Sequence, residues 1–179
     1  AARSFGQALD ILELLIRKHP DRASFHNQFA WYLAICPDAK LRDGNRAAAA
    51  AKKAVELEAK FGNYWNTLGV ALYRAGDWKA AVATLEKSIE LRAGGSADDF
   101  FFLAMTHWQL DHKDQARQWY EKAAEWMTKN QPDDEELHRF HAEAAALLGE
   151  AAEKECVAPE PFPMSNPFDG ELSCGQAFG

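Results

Sequence analysis

Residues Asn63–Leu91 read NYWNTLGVALYRAGDWKAAVATLEKSIEL, and their spacing decides the fold. Trp65, Leu68, Gly69 and Leu72 recur at helical spacing and mark one buried stripe; Ala81, Leu85, Ser88 and Ile89 mark a second. Between the two stripes stand Gly76 and Asp77. Glycine tolerates the left-handed conformation that ends a helix, and aspartate caps the start of the next. Small residues at Gly69 and Ala81 let two backbones approach where leucine would hold them apart. The stretch therefore predicts a tight helical hairpin.

The same pattern recurs along the chain. Shifted by 35 residues, Leu68 falls on Leu103, Gly69 on Ala104, Tyr73 on Trp108, Ala81 on Ala116 and Leu85 on Tyr120. Upstream, Phe29, Ala30 and Leu33 take the places of Leu68, Gly69 and Leu72, while Ala47, Ala51 and Ala54 take those of Ala81, Leu85 and Ser88. In order and spacing the pattern resembles the tetratricopeptide repeat, whose usual period is about 34 residues. The resemblance implies an all-α, right-handed superhelix of helical hairpins. Its expected divisions are a half repeat over 1–22, full repeats over 23–60, 61–95 and 96–130, a capping helix over 131–155 and a Pro- and Phe-containing tail over 156–179. The wording YWNTLGVALYRAGDWKAA is also similar to repeat arrays appended to bacterial serine/threonine kinases. A sequence that opens inside a repeat is what a docking or regulatory piece of a longer protein would present.

Composition limits the functional classes. The 179 residues are 47% hydrophobic and 26% charged, enough for one core. A net charge of −7 argues against duplex nucleic acid, which needs a basic face. No apolar run reaches the roughly 20 residues of a membrane span. Cys36, Cys156 and Cys174 lack framework or metal-site spacing, so reduced thiols and a cytoplasmic setting are expected.

Along the chain, Phe5–Lys18 and Asp21–Ile35 read as helices separated by His19-Pro20, and Asn45–Ala59 follows an extended turn from Cys36. Ser96 and Asp99 form a capping-box start for the next helix. Pro132 is expected to open a last helix with Asp133, Asp134, Glu135 and Glu136 in its first turn, where the dipole favours acid. Leu137, Phe140, Ala144, Leu147 and Leu148 give that helix one narrow apolar stripe, as a terminal cap requires.

No phosphate loop, nucleophile elbow or HExxH is present, so neither enzyme activity nor a cofactor is expected. His138 and His141, three apart, could share a metal in an alternative reading as a metal-dependent enzyme, but no third ligand is specified and a structural pair is the better reading. His107 reads as a packing residue; His19, His26 and His112 read as loop or surface residues.

The functional surface comes from the resemblance, which implies that each hairpin's first helix lines a concave groove for a peptide or protein partner. Carried over, the groove residues are Asn27, Gln28, Trp31 and Ile35; then Asn66, Thr67, Val70, Tyr73 and Arg74; then Phe101, Phe102, Met105, Trp108 and Gln109. Rings supply contact area and amides can grip a backbone. The family's clamp for chaperone C-termini uses Lys, Asn and Arg; here Asn27, Trp31, Thr67, Asp98 and Phe102 stand there, so a chaperone-tail adaptor is not expected. The open half repeat also allows self-association into a structural array. In the tail, PEPFPMSNPF (159–168) has two readings: a tethered, preordered ligand that docks on the solenoid, or a solvated tail or linker to a further domain.

Overall fold

A computed structural model describes residues 2–149 of the chain. These form eight helices: α1 (Ala2–Lys18), α2 (Ala23–Ile35), α3 (Gly44–Leu57), α4 (Gly62–Ala75), α5 (Trp78–Leu91), α6 (Ala97–Gln109), α7 (Lys113–Asn130) and α8 (Glu135–Leu148). No strand occurs among the described residues. Helices α2 and α3, α4 and α5, and α6 and α7 pair as hairpins, α1 packs on α2, and the first helices α2, α4 and α6 lie side by side. The tail and the expected end of the capping helix beyond Gly149 lie outside the described residues, as do Cys156 and Cys174. No helix among them is long and apolar enough to cross a membrane.

Local chemistry sets the helix ends. Gly76 adopts φ 84° at the end of α4, and the Asp77 carboxylate accepts from the Ala80 N–H at 3.2 Å. Asp43 caps α3 through the Arg46 N–H at 3.0 Å. Before α6, the Asp99 carboxylate reaches back to the Ser96 N–H at 3.0 Å, the capping-box bond. The last helix departs from expectation: Pro132 sits in the preceding turn, and Asp134 is the cap, accepting from the N–H groups of Glu136 and Leu137 at 2.9 Å each. A side-chain cap offers α8 two acceptor contacts that Pro132 at the first position could not.

The hairpins close where side chains are missing. A Cβ on Gly69 would stand 2.5 Å from Leu85 Cγ, so the tight contact of this hairpin is Gly69 on Leu85 rather than on Ala81. An equally close approach, unforeseen from the sequence, lies between hairpins. A Cβ on Gly44 would stand 2.5 Å from the backbone carbon of Arg74 and the nitrogen of Ala75. Here α3 begins against the end of α4, and backbone cannot move aside as a side chain can.

His26 departs from the loop or surface setting expected of it, whereas His107 packs as expected. His26 is buried, with Nε2 2.9 Å from the Pro20 carbonyl, and ties α2 to the α1–α2 turn. His107 is buried near the end of α6, its Nδ1 3.3 Å from Nδ1 of His112. Burial first, and the neighbouring His112 second, hold His107 below the ordinary imidazole value, while Glu86 opposes them.

Two predictions follow from these contacts. Gly44→Ala should cost about 1–3 kcal/mol, and Gly69→Ala less, because Leu85 can shift where backbone cannot; Gly69→Leu should cost more than Gly69→Ala. Urea unfolding followed by helical circular dichroism checks the order, and a Gly44→Ala variant that unfolds with the parent would disprove the close approach. For His107, a folded pKa below the unfolded one means that the fold loses stability as pH drops below about 6.5. The loss continues until the folded value is passed. Comparing urea midpoints at pH 7.5 and 5.5, the drop should be smaller in His107→Gln than in the parent.

Candidate binding face

The inner face formed by α2, α4 and α6 is divided between an internal occupant and an open cleft. The occupant is α8. Its Phe140, 2% exposed, meets Trp31 of α2 edge-on with ring centroids 6.2 Å apart, and Phe102 of α6 at 5.0 Å. His141 packs edge-on against Phe101 at 5.6 Å and stands 2.8 Å from the Tyr120 hydroxyl through Nε2. Glu143 accepts both terminal nitrogens of Arg74, one of them at 2.7 Å. The same guanidinium donates through Nε to the Ala34 carbonyl at 3.1 Å and lies over the rings of Tyr73 and Phe102, 5.5 and 5.2 Å from their centres. One arginine thus ties α2, α4, α6 and α8 together.

This changes the assignment of several expected groove residues. Val70, Phe101, Phe102 and Met105 are wholly buried and cannot meet an outside ligand with α8 in place. Ile35 is buried too. Arg74 is engaged internally. Tyr73 packs edge-on to Phe102 at 5.5 Å, and burial, then the Glu143 charge, push its phenol up. Trp108 is covered on one face by Lys113, whose Nζ sits 3.8 Å from the ring centre. Its helix-mate Gln109 is half-buried. Asn66 is buried and donates to Asp99 at 2.8 Å, a link between α4 and α6. The physical reason is shared: the curved stack brings the last helix back over the inner face, and apolar inward residues are covered by the chain's own apolar stripe.

His138 and His141 do not converge. His138 Nε2 stands 2.7 Å from the Pro132 carbonyl, whereas His141 turns to Tyr120. Among the described residues no three His, Cys, Asp or Glu side chains gather as a metal site.

Beside α8 the inner face stays open as a cleft of about 590 Å³ along the first turns of α2, α4 and α6. Asn27, Gln28, Trp31, Asn66 and Thr67, all expected in the groove, line it. So do Ser24, Tyr32, Asn63, Tyr64, Arg92 and Asp98, which were not in that set of groove residues. Stepping back seven residues, two helical turns, from Trp31 and Val70 gives Ser24 and Asn63, so the signal was available. Gln28 and Asn63 are exposed, while Asn27, Trp31 and Tyr64 are half-buried. The Asn27 Oδ1 atom is shielded and has no hydrogen-bond partner within the protein, an unmade bond that a ligand N–H can supply when the amide turns.

Residues 60–129 match the family model described as tetratricopeptide repeat. That match spans the second and third hairpins, α4 to α7. The repeat array has the fold of the crystal structure of MamA protein, at 20% identity and a TM-score of 0.58, over 85% of this chain and 83% of that one. It is also similar to YrrB, described as a TPR protein with an unusual peptide-binding site, at 22% identity and a TM-score of 0.50, over 86% of this chain and 70% of that one. No curated protein matches the sequence. The fold of the repeat array is therefore an all-α superhelix of helical hairpins.

The half-buried Arg74–Glu143 pair generates a further prediction. Glu143→Gln or Arg74→Met should each cost about 1–3 kcal/mol, between the values for exposed and fully buried pairs. The double variant should cost clearly less than the sum of the two. A thermal-denaturation double-mutant cycle reads this directly, and strict additivity would mean the two side chains do not interact.

Proposed function

We propose that this chain is a non-catalytic protein-interaction module that binds an extended peptide segment in the open cleft beside α8. The observation that carries the reading is the cleft itself: aromatic walls from Trp31, Tyr32 and Tyr64 with amides of Asn27, Gln28 and Asn63 between them. Rings provide apolar contact at little entropic cost, and each primary amide offers a donor and an acceptor to a peptide backbone. The peptide-binding site named for YrrB supports the same use of this fold. The ligand enters along the polar half of the inner face, because α8 fills the apolar half. Within a longer protein, such as the bacterial kinases whose repeat arrays the sequence resembles, the cleft would act as the docking segment.

The test uses the exposed Gln28 and Asn63 together with Tyr64, which is half-buried and stacks on Phe61. A peptide selected on the full chain from a random linear display library should lose about tenfold or more in affinity on the triple change Gln28→Ala, Asn63→Ala and Tyr64→Ala. Helical circular dichroism should stay unchanged. Equal affinity for parent and triple variant would refute the cleft as the binding site.

A further inference from the structure

The open cleft does not end at Asp98. A second cleft of about 370 Å³ shares Arg92 and Asp98 with the first and continues past Ser96 to Trp126, Asp134 and Glu136. The charges along this continuous path are unequal. Carboxylates of Asp98, Asp134 and Glu136 line it, and among the described residues Arg92 is the one basic side chain that does.

Arg92 has little left to give. One terminal nitrogen donates to Asp99, wholly buried, at 3.0 Å, and the other bonds the Ser96 hydroxyl. Asp98 stands farther from it, at 3.7 Å. Arg139 reaches Glu136 at 3.4 Å from outside the clefts, and Asp134 is occupied with the helix cap. Carboxylates still outnumber cations at the junction, with Asp98, Asp134 and Glu136 against Arg92 and Arg139. The Glu136 carboxyl is held above its ordinary range, first by burial, and both Asp134 and Asp98 add to the rise while Arg139 opposes it. Trp31 lies near enough to the Glu136 side chain to oppose that rise, so its indole stands beside the carboxylates and also lines the first cleft. A ring with acid groups next to it is a receptor for a cation on a flexible stem: the ring covers the methylenes and attracts the charge, and the carboxylates pair with it.

We propose that the two clefts form one channel for an extended, basic peptide segment, with a Lys or Arg side chain seated between Asp98 and Glu136 against Trp31. The proposal deepens the peptide-binding reading and rests on it. Charge complementarity selects the occupant: a chain of net charge −7 presenting acid groups here repels nucleic acid and acidic segments alike. The amides of the first cleft hold the backbone on one side of the junction, and the basic side chain fixes its register.

The experiment takes the full 179-residue chain as bait for a display library of random linear peptides. Selected peptides should be enriched in Lys or Arg, and replacing that residue by Met should lower affinity about tenfold or more. The double variant Asp98→Asn, Glu136→Gln, which keeps side-chain shape, should bind the basic peptide that much more weakly. It should bind the Met peptide as the parent does. Urea midpoints of the variants confirm that the fold is kept. Peptides that bind and respond to the Gln28, Asn63 and Tyr64 changes, but are neutral or acidic, or ignore the carboxylate changes, would overturn this inference and leave the cleft reading standing. Failure to select any peptide, or binding indifferent to both sets of variants, would overturn both.

Discussion

A helical hairpin cannot bury both of its faces alone, and the contact that resolves this for the inner layer is Phe140 set between Trp31 and Phe102. Rings from α2, α6 and α8 meet edge-on, an arrangement their quadrupoles favour. With Phe140 in place, Phe101, Phe102 and Met105 are withdrawn from water, and the third hairpin gains the neighbour that a repeat array needs at its end. Arg74 extends the same contact, because its guanidinium lies over Phe102 while its nitrogens hold Glu143 and the Ala34 carbonyl. The terminal helix therefore both closes the stack and divides its inner face into a filled apolar half and an open polar half.

A second constraint joins the hairpins at the other end of the first helices. Asp99 is wholly buried, and its carboxylate collects Asn66 of α4, Arg92 at the end of α5 and the Ser96 N–H before α6. Burial, and next the charge of Asp98, push its carboxyl above the ordinary range, with Arg92 and Asn66 opposing. Such a group persists only when its bonds are made, so Asp99 fixes the spacing of α4 and α6 at the mouth of the cleft. Its neighbour Asp98 is left facing the cleft as a consequence, while the nearest cation is held inward.

Exposed apolar residues remain at the opposite end. Ile11 and Leu14 on α1 are 59% and 50% exposed, apolar surface that α2 leaves uncovered. Under α8, by contrast, Phe101 and Phe102 are wholly covered.

The sequence by itself determined the hairpins. Apolar spacing, small residues at Gly69 and Ala81, the Gly76-Asp77 junction and the 35-residue recurrence are local properties, and the helices appear where these place them. It also indicated that α8 would present one narrow stripe. Which surface receives that stripe is a different matter. Phe101 and Trp31 are both inward positions by the family resemblance, yet one lies under α8 and the other stands at the edge of a cleft. Their difference depends on how far the stack curves and on where the loop after α7 returns the chain, quantities summed over many contacts between residues distant in sequence. The same holds for Gly44, whose close neighbours, Arg74 and Ala75, lie on another hairpin, and for Arg74, whose partner Glu143 is 69 residues away. Local spacing encodes a face; only the tertiary arrangement decides what covers it.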